Sequence, residues 1–433
     1  MPSLESASGS SLAAGSGISR ATSLDSPIAD VPKPPLNLRT FIDLLSREGC
    51  LKRISHTVDW KFEVGDITRT TEGPLLFENI KDYPGLRLFT NGLRSPSSMA
   101  VALGFHPSQA WNSVIREIRW KAAAPLAPIV LESGPVLENV VEGEDIDFLK
   151  FPIPHWSRYD AGRYIGTWHI NVTRDPETGS RNLGVYRMQV VGRNQATVST
   201  YANSHLTLHF AKAEKKGQPL EMAVVIGAAE PLIIAAAAAY PGGSDEYNLA
   251  GALEGEAVRL IRCKTVDLEV PAESEIVIEG VIKPGVRVQD GPFFDYAGKP
   301  TTNPNAFLFE ATRLSFRNDP IFRGTAIGHP AAEDQQLFWL LAELGLFDFH
   351  SSRPKHWVQS ALIHRRLFRA FQTVGRATMP PFLSRTLKRF AHQASSRESE
   401  KKSFTTSLSC VEHRVVASPE SDSHALQAST SMD

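Results

Sequence analysis

The sequence predicts a mixed α/β protein, α+β in character, with a strand-rich, barrel-like domain at its centre. Three observations carry this. Apolar residues recur at helical spacing near the start, at Leu38, Phe41, Leu44 and Leu45. From about residue 155 to 325, short apolar or alternating runs are separated by turn residues, and helical patterns are few. The 433 residues, 42% apolar and 21% charged, have ordinary globular composition and suffice for two or three domains.

Taken in order, residues 1–36 are expected to be a disordered arm, rich in Ser and Ala and ending in Pro32-Lys33-Pro34-Pro35. Order begins at Asn37, and Gly49 stops the first helix. An N-terminal domain of mixed α and β is expected over 37–150. Leu75-Leu76-Phe77 and Leu86-Arg87-Leu88-Phe89 read there as buried strands around a Pro84-Gly85 turn. In the central domain, 151–327, Tyr164 to Val172 reads as one alternating strand with Ile165, Thr167, His169 and Asn171 on one face. Asp175 to Gly179 is a turn, and Leu183 to Gly192 returns as a strand. Further strands are expected at 221–227, 258–269, 275–283, 305–315 and 320–323, and short helices at 205–215, 229–239 and 331–345. The Ala235–Ala239 run is read as close-packed helix without chemistry. Residues 371–433 read as a basic, then Ser-rich tail.

A net charge of −1 gives the whole molecule no electrostatic reason to bind nucleic acid or acidic membranes. Cys50, Cys263 and Cys410 are far apart, with no metal-type spacing and no disulfide framework, which favours a reducing compartment. No apolar run reaches the roughly 18 residues of a membrane span; Leu232 to Ala239 is too short and meets Pro241-Gly242-Gly243. No basic-then-apolar leader is present. Arg20 stands among Glu5, Asp25 and Asp30, whereas a mitochondrial presequence is poor in acids, so the cytoplasm is expected and the mitochondrion is the alternative. The stretch 363–391 interleaves Leu367, Phe368, Phe371 and Phe382 with Arg and Lys, a pattern that suits docking on a membrane or partner.

Several residues suggest chemistry. Asn182, His205 and Glu246 offer an amide oxygen, an imidazole and a carboxylate, a set suited to Mn²⁺ or Mg²⁺ rather than zinc. His209, one helical turn after His205, is a competing ligand or a surface residue. Arg187 is either a solvated cation on a half-buried strand or a planar fork for a carboxylate. Asn182 and Arg187 are five apart, so an ideal strand would point them to opposite faces; a bulge at Gly184 would reconcile them. Asp290 and Asp295 flank Gly291-Pro292-Phe293-Phe294. They are either solvated turn acids, or one pairs with an arginine while aromatic surface raises the other toward a proton donor. Glu254, Glu256, Glu273 and Glu275 are expected at the surface. One cation, two acids and a hard-metal set together suit moving a carboxylate and a proton at an anionic cofactor.

Four stretches then carry a resemblance. They are Asn182-Leu183-Gly184-Val185-Tyr186-Arg187; Asp245-Glu246-Tyr247 with Ala250-Gly251-Ala252-Leu253; Val270 to Gly280; and Asp290 to Tyr296. In this order they resemble the UbiD family of decarboxylases, which includes the ferulic acid and polyprenyl-hydroxybenzoate enzymes, over residues 37 to about 345. The resemblance implies an N-terminal α/β domain, a central split β-barrel flavin-binding domain and a C-terminal α/β domain. It implies prenylated FMN, with Mn²⁺ joining its phosphate to the protein and K⁺ nearby. The metal ligands fall on Asn182, His205 and Glu246, and the cofactor segment on Asn182, Leu183, Gly184, Val185, Tyr186, Arg187, Ser204, His205 and Glu246. The catalytic network falls on Arg187, Asp290 and Asp295. Arg187 would orient the substrate carboxylate, Asp290 would hold Arg187, and Asp295 would supply the proton after CO₂ leaves.

The implied reaction is a non-oxidative, reversible decarboxylation of an aromatic or α,β-unsaturated acid. A separate flavin prenyltransferase would supply the cofactor, and the protein would be a homo-oligomer. Phe293, Phe294 and Tyr296 favour a flat, apolar substrate body. The chain also departs from the family. Both network acids are aspartate where the first is usually glutamate, and Phe294 stands where glycine is common. After about 328 only a remnant of the last domain is expected, faint through Trp357 and Arg366 and ending near 370. The rival expectation is therefore a non-catalytic relative that binds flavin or a partner.

Overall fold

The computed structural model describes residues 34–238, 245–296, 298–328 and 332–348. The expected arm up to 33, the basic docking stretch, Cys410, and the remnant and tail from 349 onward lie outside the described residues.

In chain order the helices are α1 (Leu38–Arg47), α2 (Glu63–Thr70), α3 (Pro96–Ala102), α4 (Trp111–Ala122), α5 (His205–Lys215), α6 (Glu230–Ala237), α7 (Glu246–Glu254) and α8 (Glu333–Asp348). The early strands are β1 (Lys52–Ile54), β2 (Leu75–Phe77), β3 (Arg87–Thr90), β4 (Ile129–Leu131) and β5 (Asn139–Glu142). The central strands are β6 (Tyr164–Gly166), β7 (His169–Arg174), β8 (Arg181–Gly184), β9 (Met188–Gln189), β10 (Gln195–Val198) and β11 (Leu220–Ile226). β12 (Arg259–Arg262), β13 (Glu269–Pro271), β14 (Ile276–Phe294), β15 (Pro300–Phe316) and β16 (Ile321–Arg323) complete the set.

Local chemistry explains the main boundaries. Asn37 caps α1 by accepting the Thr40 amide at 2.9 Å, and Gly49 takes the left-handed conformation (φ +68°) just past its end. Ser204 caps α5 by accepting the Thr207 amide, and Lys212 and Lys215 sit in its last turn. Asp245 caps α7 on the Tyr247 amide.

The centre is a curled half-barrel sheet of seven strands, ordered β10-β15-β14-β11-β7-β8, with β5 paired to β15. The long β14–β15 hairpin is its spine. Both faces of β11 are covered: Ala223 and Val225 belong to the outer core that includes residues of α6 and α7, while Met222, Val224 and Ile226 belong to the inner core with Phe210 of α5. Burying each of the larger side chains, Met222, Val224, Val225 and Ile226, contributes about 1.5–3 kcal/mol. A second sheet, β1-β2-β3-β16, organises the N-terminal part. Strand pairing crosses the residue-150 boundary three times: β4 (Ile129–Leu131) lies parallel to β12, β5 joins the central sheet, and β16 lies parallel to β3. Arg323 on β16 is buried between Glu230 at 2.9 Å and Glu333, and Glu333 also accepts the Asn91 and Leu93 amides.

Several expected elements differ. Tyr164 to Val172 is two strands, with β6 paired to β9 and β7 to β8 and β11. Every residue from Tyr164 to Val172 is buried, so polar and apolar alternation there does not mark solvent and core. The expected strand from Leu183 to Gly192 stops at Gly184 and resumes as β9. The run 258–269 is likewise split into β12 and β13, and α6 ends at Ala237, short of Ala239. Among the described residues no helix is long and apolar enough to cross a membrane.

Candidate active site

The break after Gly184 creates the site. β8 belongs to the central sheet and β9 to a two-stranded ribbon, so Asn182 leaves on β8 while Arg187 stands in the break, just before β9. No bulge at Gly184 is needed. The Tyr186 ring lies over Gly184 where a Cβ would stand, which is why glycine fits there. The Tyr186 amide donates to Asn171 Oδ1 at 3.1 Å, fixing the bend between the strands.

Arg187 lies between two carboxylates. Its Nε donates to Asp290 Oδ1 at 2.6 Å, and Nη1 donates to Thr301 Oγ1 at 2.7 Å and Asp295 Oδ2 at 3.3 Å. Nη2 has only a 3.4 Å contact to the Thr301 carbonyl. Thr301 also donates to Asp295 Oδ2 at 3.0 Å, and Thr197 donates to Asp290 Oδ2 at 2.6 Å. The guanidinium lies 5.1 Å from the centre of the Phe293 ring, which packs on Tyr164. Arg187 is therefore an enclosed, pre-oriented fork, its side chain 13% exposed, and not a solvated strand cation.

Asp290 and Asp295 do not flank a simple turn. Asp290 to Phe294 is the end of β14, where the register against β15 shifts between Asp290 and Phe293. Gly291 makes the shift possible, with φ +94° and the Thr301 carbonyl 2.6 Å from where a Cβ would be. Asp290 is fully buried; burial raises its carboxyl, against the opposing pull of Arg187 and Thr197. Both acids touch Arg187, so the arginine pairing is shared and not given to one acid alone.

Asn182 and His205 also meet, Oδ1 to Nδ1 at 2.9 Å. Glu246, the first residue of α7, accepts the Leu183 amide at 3.1 Å. β8 thus touches the N-termini of α5 and α7, where helix dipoles favour an anion. Arg181 on β8 pins Asp245, the α7 cap. The trio passes a test of fit for a cation. Glu246 is 2% exposed and has no basic partner among the described residues, and burial raises its carboxyl to about 7. Asn182 Nδ2 is buried without a hydrogen bond. A divalent cation would reverse the first deficit, and a phosphate on that cation would answer the second. The 2.9 Å separation also equals a cis edge of an octahedron with ligand distances of about 2.0–2.1 Å. No cluster of three His, Cys, Asp or Glu side chains suited to a metal exists among the described residues, so this set depends on its amide.

His209 is not a surface residue. It is buried, bonded to Thr173 Oγ1 at 3.0 Å, 4.0 Å from Asp175, and burial lowers it to about 4. Ser204 serves as the α5 cap, and burial raises the Tyr186 hydroxyl beside Asn182 and Ser204. Leu183 is buried and Val185 packs against the core, so these two shape the segment. Two acids expected at the surface are not there. Glu275 is 0% exposed and takes both Arg39 nitrogens at 2.8 and 2.9 Å, and Glu254 is 7% exposed. Glu256 is exposed and Glu273 half-buried.

Thr197, Thr301 and Asp160 are site residues that residue pattern did not single out. Asp160 Oδ1 accepts the Phe294 amide at 2.7 Å, and burial raises this carboxyl to about 6. Thr197 carried a faint signal, as a polar residue inside the short strand Gln195 to Val198.

Comparison with known proteins adds a second line. Residues 129–330 match the 3-octaprenyl-4-hydroxybenzoate carboxy-lyase Rift-related domain, and 42–118 match the N-terminal domain of the same carboxy-lyases. The chain belongs to the UbiD family. The pyrrole-2-carboxylic acid decarboxylase of Pseudomonas aeruginosa is 33% identical over 328 residues, covering 72% of this chain and 66% of that protein. The UbiD-class enzyme HmfF from Pelotomaculum thermopropionicum, in complex with FMN, superposes with a TM-score of 0.67 at 33% identity, over 72% of this chain and 69% of HmfF. An evolved dimeric form of HmfF in complex with prFMN gives 0.65 at 32% identity, over 72% and 71%. The vanillic acid decarboxylase of Sedimentibacter hydroxybenzoicus, in closed form, gives 0.69 at 28% identity, over 71% and 68%. This UbiD-family chain thus spans about two thirds of the length of these relatives. The curled sheet and the elements carrying Arg187, Asp290 and Asp295 fall inside the matched region.

Proposed function

We propose that this protein catalyses the non-oxidative, reversible decarboxylation of an aromatic or α,β-unsaturated carboxylic acid, using prenylated FMN and a divalent metal. The observation that carries the reading is Arg187, held by Asp290 at 2.6 Å with Asp295 at 3.3 Å, in a matched UbiD domain. Support for the cofactor comes from HmfF, described with FMN and with prFMN. Support for the substrate class comes from relatives that act on pyrrole-2-carboxylic and vanillic acids.

In this reading the under-used Nη2 edge of Arg187 takes the substrate carboxylate and aligns the bond to be broken. Asp290 keeps the guanidinium in place. Phe293 and Phe294 exclude water around a flat apolar body. Asn182, His205 and Glu246 would hold Mn²⁺, and that ion the cofactor phosphate; K⁺ belongs to the same reading without assigned residues. The bound flavin supplies an electron sink for the bonding pair released with CO₂. Asp295 then delivers a proton to the carbon that lost CO₂ and recovers one from solvent, which its partly exposed carboxyl can reach. Uptake of CO₂ by the reverse steps gives the carboxylation. A flavin prenyltransferase supplies the cofactor, and self-association is part of the proposal because one HmfF form is described as dimeric.

The test is CO₂ release from cinnamic, hydroxybenzoic and heteroaromatic acids, by protein co-expressed with a flavin prenyltransferase and supplied with Mn²⁺ and K⁺. Release from at least one acid is expected. Flavin-loaded protein that releases CO₂ from none would overturn the reading.

A further inference from the structure

The register shift at the end of β14 frees backbone groups that a regular ladder would satisfy, and buried groups of this kind need partners. Their partners come from outside the hairpin. The Gly291 amide donates to Gln189 Oε1 at 3.0 Å. The Pro292 carbonyl accepts the Ala161 amide at 2.7 Å. The Phe294 amide, next in chain to Asp295, donates to Asp160 Oδ1 at 2.7 Å. Two of the three contacts come from one loop, residues 155–161.

That loop is itself braced. His155 Nε2 bonds the Asp160 carbonyl at 2.9 Å, and the Tyr159 amide donates to Ser157 Oγ at 3.2 Å. The Tyr159 ring stacks on Phe294 at 5.7 Å. Arg69, anchored on the Trp156 carbonyl at 2.6 Å, lies 5.7 Å from the same ring. Asp160 is buried, and its second oxygen has no hydrogen bond. A buried carboxyl left half-satisfied costs stability, and this one stands at the acid-bearing strand end with its other oxygen on the Phe294 amide.

We propose that Asp160 is a positioning residue for Asp295: through the Phe294 amide it sets where the proton-delivering carboxyl stands relative to Arg187. A shift of about 1 Å in such a group can cost up to 100-fold in rate. The backbone part of this inference stands alone; its kinetic part rests on the decarboxylase reading.

The test compares wild type, Asp160→Asn, Asp160→Ala and Asp160→Ser. Asparagine keeps an acceptor at Oδ1, alanine removes it, and serine is too short to reach. Amide hydrogen exchange of the segment 290–296 is measured by mass spectrometry, alongside kcat and KM. Asp160→Ala and Asp160→Ser are expected to speed exchange there about tenfold without change in α1 or β11, and to lower kcat about tenfold or more with KM within about threefold. Asp160→Asn is expected to restore most of both. Unchanged exchange at 290–296 in the alanine and serine variants overturns the proposal, as does an asparagine variant that behaves like alanine. If wild type turns over no acid, the exchange result still decides the role of Asp160, and the decarboxylase reading fails separately.

Discussion

Arg187 and Asp290 form a directed ion pair, Nε to Oδ1 at 2.6 Å, and Thr197 holds the second carboxylate oxygen at 2.6 Å. Asp290 is thus fully engaged in fixing the guanidinium, while the Asp295 contact at 3.3 Å is looser. In the proposed reaction, holding the guanidinium falls to Asp290 and proton transfer to Asp295. Asp290→Asn keeps the shape but removes the charge. It is expected to lower kcat by about 10- to 100-fold while the protein stays folded, as measured by steady-state kinetics and thermal melting.

Glu246 is a buried acid raised to about 7 without a basic partner among the described residues. If Glu246 holds the proposed cation, a proton and that cation compete for it. Mn²⁺ affinity, read by calorimetry, is expected to fall as pH drops below about 7, where the carboxyl protonates. Glu246→Gln is expected to weaken Mn²⁺ by about 10- to 100-fold. Equal affinity in the glutamine variant would remove Glu246 from the metal set.

Asp160 carries a pH-dependent penalty. Its folded carboxyl is raised to about 6 by burial, from an ordinary value of 3.8. Below about pH 4 it is protonated in both folded and unfolded chains and costs nothing. Between about pH 4 and pH 6 the carboxyl ionises in the unfolded chain but stays protonated in the folded one, so stability falls by on the order of 3 kcal/mol and levels off once the folded group ionises above about 6. Asp160→Asn removes that term. Its stability relative to wild type should therefore rise between about pH 4 and pH 7 in denaturant titrations. A pH-independent difference would contradict this.

Arg323 neutralises two buried glutamates, Glu230 and Glu333, and so ties β16 to α6 and α8. Arg323→Ala leaves both acids uncompensated and is expected to destabilise by about 3–5 kcal/mol. Replacing all three residues by apolar ones of similar volume should not recover the loss, because the Asn91 and Leu93 amides and Trp168 Nε1 would then lose their buried acceptors. Chemical denaturation of the single and triple variants checks both statements.

Much of the fold was legible where local chemistry marks it. The helix expected at 205–215 is α5, Asn37 and Gly49 bracketed α1, and the turn from Asp175 to Gly179 separated β7 from β8. The strand break at Val185-Tyr186-Arg187 was hidden because residues on both faces of the neighbouring strands are buried, so alternation carries no information there. Glu275 looked like a surface acid because its partner, Arg39, lies 236 residues away. Of the candidate site, Arg187, Asp290 and Asp295 were legible in residue type, and the fold brings them together. Thr197, Thr301 and Asp160 were not, since a lone threonine or aspartate is explained only by the neighbour that the fold brings to it.

The most direct measurement is CO₂ release by wild type and Arg187→Ala side by side, each shown by absorbance to carry the flavin. The account predicts release by wild type and a loss of about 100-fold or more in the variant with cofactor retained. Equal release by the two proteins would contradict the central claim that Arg187 holds the carboxylate that is lost.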